Sequence, residues 1–447
     1  MSSNQQALKP GIVWMRSVWK FRHNPFPPSG IARLGGSDNR ENGLLFRPQV
    51  QQEKVDEAIQ KFVLGSAYSG LKFGYLWSIG RAGEYGFGDV RGFGKSSMLQ
   101  YLVEEINEDF GRKFMVESGL EESDANEHPL CAVLASFDMA NARSLAAVFF
   151  EATRYACRFR RGSEPTLAGR LHARLVERVG SAKKAKLVEA VLKASDETVG
   201  RTLGPPIEEL VDFLCEGDPV KLGRFIESVK AGARGRVGAA NYLATFLFFV
   251  KAAGIQHVLL GCDQLEDFAA TSTTRQKRTV EVERFRDYVT ELQPMADMLT
   301  VVVTLHPRAQ EAIGEMWRLA DLPNFAPDRP ENRSRVVVLE IIEDLDRAKE
   351  LLLPYLQDAR LEQGSNSGGW EPFTDDAIEL LLRRSDGKPR DILRKAHALI
   401  NEGSAKNWKE IDARSAASVI DVLTFADEEQ PELVVPARGA LEDVWTS

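Results

Sequence analysis

A glycine-rich segment, Gly88-Asp-Val-Arg-Gly-Phe-Gly-Lys-Ser-Ser97, has the residue types needed to bind phosphate. Small residues let consecutive backbone N–H groups turn towards phosphate oxygens, and a following helix offers the positive end of its dipole. In such a loop, Lys95 reaches the β- and γ-phosphates and the Ser96 hydroxyl binds Mg²⁺. The segment therefore predicts a nucleotide site. The residues expected to touch the nucleotide are Gly92, Phe93, Gly94, Lys95, Ser96 and Ser97.

The loop departs from the usual spacing at one position. A phosphate loop normally has glycine six positions before its lysine, whereas Asp89 stands there and Gly88 lies one residue earlier. An acid so near the phosphates is repulsive unless its side chain points away. A glycine-rich turn without a ligand is the alternative. Met98, Leu99 and Leu102 repeat with the period of a helix that follows the loop, which favours the phosphate loop.

An apolar run that ends in an acid supplies a second candidate. The run begins at Ile255 and reaches Asp263, as in a buried strand that ends at a loop. A carboxylate there would hold Mg²⁺ through its water shell, beside the phosphate loop. A strand followed by an acid is common by chance. Together with the upstream loop, it predicts a metal site formed by Ser96 and Asp263.

Polar residues also follow the next apolar run, Thr300-Val-Val-Val-Thr304. At the end of a parallel strand, Thr304 or the nearby His306 would contact the γ-phosphate or the attacking water. A single histidine at a strand end is more often structural. Thr304 is therefore the stronger candidate for a catalytic role.

The composition limits the classes of protein that fit. The chain has 447 residues, 43% of them hydrophobic and 27% charged, which is typical of ordinary globular domains. Its net charge of −8 argues against a surface coated for non-specific binding to nucleic acid. The longest apolar run, Leu243 to Val250, is too short to span a bilayer and predicts a buried helix. Four single cysteines and an N-terminal region without a signal-peptide pattern predict a cytoplasmic protein with no membrane partner.

One segment is strongly basic within this acidic chain. From Arg154 to Lys186 there are ten arginine and lysine residues and only two acids. Such a surface would suit the phosphates of DNA. A solvated helix face explains the charge about equally well, and the two interpretations stay open.

The remaining patterns place these candidates in an α/β fold. Nearly continuous apolar runs, such as Cys131–Phe137 and Val336–Leu339, are typical of strands buried on both faces of a parallel sheet. We expect a parallel-sheet P-loop NTPase core with helices on both faces, a helical insertion and a C-terminal helical lid. The predicted boundaries are an extended N-terminal arm at 1–45, the core at 46–343 with its insertion at about 160–237, the lid at 344–424, and an acidic flexible tail at 425–447.

The predicted arm carries several large apolar side chains. Trp14, Trp19, Phe21 and Phe26 are too many to leave in water. We expect them either to pack against the body of the protein or to wall an adenine base. Further along the chain, Thr374 is expected to cap a helix of the predicted lid.

The order of these parts resembles the AAA+ superfamily. A helix precedes the phosphate loop, an acid ends a later strand, a polar residue ends the next strand, and Gly387-Lys-Pro-Arg390 lies in the predicted lid. The resemblance covers about residues 24–420 without the inserted helices. It points to the branch that contains origin-recognition-type initiators, transposition regulators and signal-transducing ATPases. It implies ATP and Mg²⁺ as ligands, Asp263 as the metal-binding acid, Thr304 as a polar sensor and Arg390 as a lid arginine that reaches the γ-phosphate.

The resemblance also implies an arginine finger, which is an arginine presented to the nucleotide of a neighbouring subunit. Arg335, just before the last strand, is the first choice, and Arg333 is the second. At either position a plain surface charge is the alternative. An arginine finger would make the protein a homo-oligomer.

The chain departs from this family at the residue after the metal-binding acid. Many family members have glutamate there to polarise the attacking water, whereas this chain has Gln264, with Glu266 two residues later. An amide can orient water but cannot accept its proton. Glu266 is the candidate substitute, and slow hydrolysis is expected. The candidate catalytic residues are Asp263, Gln264, Glu266, Thr304, Arg335 and Arg390.

Two classes of function follow. The first is a slow ATPase that self-assembles, possibly on DNA through the basic stretch, and controls a separate effector protein in phage defence or mobile-element biology. The second is a nucleotide-dependent protein-interaction switch with little or no turnover and no nucleic-acid binding. Measured turnover, with and without DNA, distinguishes the two.

Overall fold

The computed structural model describes a defined set of segments of the chain. They are residues 10–30, 51–64, 73–78, 92–136, 147–160, 163–197, 206–231, 239–263, 276, 279–280, 282–283, 298–304, 333–361 and 369–428. The chain divides into two compact units. The first comprises Met1–Gln52, Ile79–Ser97 and Leu339–Ser447, and the second comprises Glu53–Ser78 and Met98–Val338.

A five-stranded parallel sheet forms the centre of the second unit. The strands are β1 (Phe73–Ser78), β2 (Leu130–Ser136), β3 (His257–Asp263), β4 (Leu299–Thr304) and β5 (Val336–Leu339). Their order across the sheet is β2-β3-β4-β1-β5, which is P-loop-like. β1, β3 and β4 are buried along their whole length, as continuous apolar runs between helical layers should be. The predicted parallel α/β fold class is confirmed.

The strand register brings two predicted site residues to one edge of the sheet. Cys262 of β3 lies opposite Val303 of β4, so the next residues, Asp263 and Thr304, end their strands side by side. On the other side of β3, the backbone of Ser136 pairs with Asp263. Because the strands are parallel, their carboxyl ends meet at this same edge.

Helices of the second unit cover the sheet or build a separate helical layer. They are α2 (Gln52–Ala58), which begins at the unit boundary and continues as a π-helical turn (Ile59–Leu64), α3 (Lys95–Asp109), which begins in the first unit, α4 (Arg112–Glu117), α5 (Glu122–Glu127), α6 (Ala147–Arg158), α7 (Leu167–Val179), α8 (Lys184–Asp196), α9 (Glu208–Glu216), α10 (Pro219–Ala231) and α11 (Ala239–Ala252). α11 buries the run Leu243–Val250, which confirms the predicted buried helix. Within the predicted insertion, α7 begins at a true cap, since the Thr166 hydroxyl accepts a hydrogen bond from the Gly169 N–H at 3.2 Å.

Side chains bind the backbone of both outer strands. On β2, the Asn107 amide donates to the Ala132 carbonyl at 2.7 Å and accepts from the Ala132 N–H at 2.9 Å. On β5, the Lys61 ammonium donates to the Val336 carbonyl at 2.8 Å. Asn107 lies on α3, so this pair of bonds also fixes that helix against the sheet.

The first unit holds α1 (Pro10–Ser17) and the four C-terminal helices. These are α12 (Leu345–Ala359), α13 (Asp375–Arg384), α14 (Pro389–Ala405) and α15 (Ala413–Glu428). Trp19, Phe21 and Phe26 are buried in one apolar core with these helices, and Trp14 packs against it. The N-terminal aromatic residues therefore follow the packing alternative. The prediction of an extended arm is wrong over Pro10–Ser17, where the chain is helical.

Thr374 occupies the predicted N-cap position of α13, without the expected capping bond. The hydroxyl instead donates to the Ile411 carbonyl at 3.0 Å.

Among the helices described here, none is long and apolar enough to cross a membrane.

Candidate functional site

The end of the predicted phosphate loop has two left-handed glycines followed by the start of a helix. Gly92 and Gly94 have positive φ angles of 88° and 91°, and Lys95 is the first residue of α3. A side chain would strain the backbone at both glycines. Left-handed residues that alternate with other conformations turn successive N–H groups to one side, and the N-terminus of the helix adds its positive end. The start of the loop, Gly88 to Arg91, lies outside the described residues.

Phe93, between the two glycines, anchors the loop. Its side chain is 1% exposed, and its carbonyl accepts a hydrogen bond from the Gln51 amide at 3.4 Å. The Lys95 ammonium lies 6.0 Å from the centre of the Phe93 ring, and Lys95 as a whole is 7% exposed. Phe93 was predicted to touch a ligand, but its side chain belongs to the interior. Only its backbone is available for that role.

The predicted lid arginine lies against the loop. Pro389 starts α14, and the N–H of Arg390 donates to the Gly92 carbonyl at 3.1 Å. A β-carbon at Gly92 would lie 2.9 Å from the β-carbon of Arg390, so the close approach needs glycine there. The structure therefore brings Gly92 and Arg390 together.

Asp263 and Thr304 form a buried hydrogen-bonded pair in the second unit. The Thr304 hydroxyl donates to an Asp263 carboxylate oxygen at 2.8 Å, and these residues are 1% and 4% exposed. A buried carboxylate is stable only when it is hydrogen-bonded or faces a cation. The neighbouring Cys262 thiol is buried, and this burial together with the Asp263 carboxylate raises its pKa well above the ordinary value. The Thr304 hydroxyl is thus one of the partners that stabilise the buried Asp263 carboxylate.

Arg335 directly precedes β5, the outer strand of the sheet, and is exposed. Its carbonyl accepts a hydrogen bond from the Tyr75 N–H of β1 at 2.7 Å, which fixes the backbone just before β5. Its side chain and that of Arg333 both reach solvent. Exposure suits an arginine finger and a plain surface charge equally.

Several basic residues of the stretch have partners that the fold brings to them. Arg154 and Arg158 both pair with Glu227, at 2.9 and 3.1 Å, and Lys184 pairs with Asp212 at 3.3 Å. Two further arginines of α7 lie over the ring of Phe110, with guanidinium carbons 5.5 Å (Arg170) and 4.7 Å (Arg174) from its centre. Burial lowers the pKa of Arg170 from its usual value. These contacts account for half of the basic residues of the stretch.

Other predicted site residues lie outside the described part of the chain. They are Gln264, Glu266 and His306. Ser96 and Ser97 lie in the first turn of α3. Within the described residues, no cluster of three histidine, cysteine or acidic side chains suited to a metal occurs.

Sequence reasoning missed Gly30 and Gln51, although both contact this region. Gly30 approaches Arg390 so closely that a β-carbon on it would lie 2.2 Å from the Arg390 carbonyl oxygen. The turn-forming run Pro27-Pro-Ser-Gly30 was an available signal for Gly30. Gln51 had no distinguishing pattern.

Comparisons with known proteins assign no family. No protein-family model matches the chain, and no curated protein matches its sequence. What stands is an α/β protein with a five-stranded parallel sheet and additional helical regions, including a C-terminal helical part.

Proposed function

We propose that this protein binds ATP with Mg²⁺ at the Gly92–Ser97 loop and hydrolyses it slowly, as an AAA+-type regulator. The observation that carries the proposal is the backbone of the loop. Two left-handed glycines stand directly before a lysine that opens a 15-residue helix. Few ligands other than phosphate need that combination of inward N–H groups, helix dipole and ammonium.

Two further contacts support a nucleotide site. The Asp263–Thr304 pair ends two neighbouring strands, where an acid and a hydroxyl would serve the metal and the attacking water. In the first unit, Arg390 is tied through its backbone to Gly92. Its guanidinium would add positive charge near the phosphates. In this proposal Ser96 and Asp263 hold Mg²⁺, and Mg²⁺ would neutralise charge that develops on the phosphates.

We further propose self-assembly through Arg335 and control of a separate effector protein, in phage defence or mobile-element biology. The exposed position of Arg335, just before an outer strand, supports donation to another subunit. The DNA part of the proposal has less support, because half of the basic residues already have partners within the chain. A switch with little turnover is the second candidate, and the observation that favours it is Gln264 in place of a glutamate base.

Removal of the Lys95 ammonium tests the binding site. Lys95→Ala should abolish ATP binding measured by calorimetry with Mg²⁺, because uncompensated phosphate charge in a confined site costs on the order of a few kcal/mol. Lys113→Ala is the matched control, since Lys113 lies outside the loop and pairs with Glu105 at 3.0 Å. Equal ATP affinity in the unmodified protein and Lys95→Ala would reject the proposal.

Turnover of the unmodified protein separates the two candidates. Release of phosphate at a measurable rate, lowered in Glu266→Gln with ATP affinity retained, would support the ATPase. ATP binding without phosphate release, alone or with DNA, would support the switch.

A further inference from the structure

Residues 24–30 are hydrogen-bonded along α14, the helix that carries Arg390. The Asn24 side-chain amide donates to the His397 carbonyl and to the Asn401 side-chain oxygen, both at 2.9 Å. The Asn24 side-chain oxygen accepts from the Phe26 N–H at 3.1 Å. Asn24 is 8% exposed, so these bonds are made largely away from water.

His397 closes this network. Its Nδ1 lies 2.7 Å from the Phe26 carbonyl oxygen, and its Nε2 lies 2.9 Å from the Asn401 amide nitrogen. A carbonyl only accepts, so Nδ1 carries the proton and Nε2 accepts from Asn401. The Asn401 oxygen in turn accepts from Asn24. With these assignments, each donor in this hydrogen-bond network faces an acceptor.

At the other end of the segment, Gly30 contacts Arg390, which in turn contacts the proposed nucleotide loop. Arg390 precedes His397 by seven residues, or about two helical turns. The backbone of Gly30 is pressed against the Arg390 carbonyl, where a β-carbon would lie 2.2 Å from its oxygen. The Arg390 N–H donates to Gly92 at 3.1 Å. Arg390 is thus held between Gly30 and Gly92.

We propose that Asn24, His397 and Asn401 are positioning residues of the nucleotide site. They hold residues 24–30 in register on α14, so that Gly30 keeps the first turn of the helix, and with it Arg390, against Gly92. The inference rests on the proposed ATP binding. Its predicted effect is on nucleotide affinity, because the network touches the loop only through Arg390 and touches no reacting group.

The first experiment needs no nucleotide. Amide hydrogen exchange at Arg390 should become at least about tenfold faster in Asn24→Ala and in Asn401→Ala, since each variant removes hydrogen bonds that stabilise the segment. Asn401 is exposed, so its variant should fold even if Asn24→Ala does not. Trp14→Phe is the control. It removes a 2.9 Å bond from Trp14 to the Trp408 carbonyl, which also ties the N-terminal segment to the C-terminal helices.

An unchanged exchange rate at Arg390 in both asparagine variants would overturn the inference. An equal acceleration in Trp14→Phe would also overturn it, because any loosened tether would then have the same effect. Neither result depends on ATP binding, so failure of this inference is distinguishable from failure of the proposed function.

The second experiment measures kinetics. Asn401→Ala should raise the KM for ATP by about tenfold and leave kcat within about twofold, as expected when one or two hydrogen bonds that organise a site are lost. Trp14→Phe should leave the KM unchanged. A fall in kcat with unchanged KM in Asn401→Ala would contradict a positioning role.

Discussion

The cations at the loop and those of the basic stretch differ in what surrounds them. Arg390 is held by its backbone between Gly30 and Gly92, and among the described residues no carboxylate is paired with it. In the stretch from Arg154 to Lys186, by contrast, Glu227 and Asp212 accept three cations, and the Phe110 ring lies beside two more. The sequence marked both groups as candidate phosphate binders. In the basic stretch, five of the ten cations are thus engaged by groups of the same chain.

The difference shows that a local count of charge is a weak guide to a binding surface. Glu227 follows Arg158 by 69 residues, so no window around the basic stretch contains it. Exposed ion pairs are each worth only about 0–1 kcal/mol of stability. They nevertheless lower the positive local potential that would attract DNA. The spacing of glycines before a lysine, in contrast, is a local signal, because it does not depend on residues that folding brings in from elsewhere in the chain.

The largest expected effect extends the comparison to a third cation. Arg335→Ala should lower ATP turnover by about 10³ and leave ATP affinity nearly normal, because arginine fingers act on transition-state charge. Arg333→Ala tests the second choice for the finger, and it should retain turnover if Arg335 is the finger. Steady-state phosphate release over a range of protein concentrations is the measurement.

Mixing Arg335→Ala with Lys95→Ala sharpens this prediction. One subunit then supplies the arginine and the other the intact loop, so some turnover should return. A protein that stays monomeric with ATP, with a specific rate independent of concentration, would rule out donation between subunits.

A direct test compares one arginine from each region. Arg390→Ala should weaken ATP binding by about 10- to 100-fold, since a charge-assisted contact with phosphate is lost. Arg174→Ala should leave ATP affinity unchanged and instead lower the free energy of unfolding by about 1 kcal/mol, because it loses its contact with the Phe110 ring. Titration calorimetry and denaturant unfolding measure the two effects. Equal losses of ATP affinity in Arg390→Ala and Arg174→Ala would show that the two regions do not differ in phosphate binding.

Charge reversal in α7 tests the DNA interpretation. Changing Arg170, Arg174 and Arg178 together to glutamate should destabilise the fold by about 1–3 kcal/mol, since two of these side chains contact Phe110 and a reversed charge loses its partners. DNA binding measured over a salt series should change little. A loss of about three units from the salt slope would show that all three arginines contact phosphates.

The smallest expected effect comes from freeing two arginines. Glu227→Gln removes the shared partner of Arg154 and Arg158, and should cost about 0.5–1 kcal/mol of unfolding free energy. If the partner is what prevents DNA binding, weak salt-dependent binding should appear in this variant alone. Lys221 provides a control, because its partner Glu216 can be changed to Gln without touching the basic stretch. Equal DNA binding by both variants and by the unmodified protein would show that the charge of this stretch does not determine DNA binding.

Elements that are marked by an apolar run or by an apolar helical period could be predicted from the sequence. The run predicted as a strand at Cys131–Phe137 is β2 at Leu130–Ser136, and the register of β3 and β4 then brings Asp263 and Thr304 together. What could not be predicted depends on residues far apart in the chain. The Asn24 amide donates to the Asn401 side-chain oxygen across 377 positions, and α1 places Met15 and Trp14 against the core of the C-terminal helices.

The bonds from Asn107 to Ala132 and from Lys61 to Val336 have a consequence for how copies of this protein can meet. An outer strand with unpaired N–H and C=O groups is a template onto which another chain can add, and such addition leads to aggregation. At Ala132 both backbone groups are already taken, and at Val336 the carbonyl is taken by an ammonium. Neither position can accept a foreign strand without first losing a bond from its own chain. Strand addition at these two positions therefore has a cost that assembly through side-chain surfaces, which can be released and re-formed, does not have.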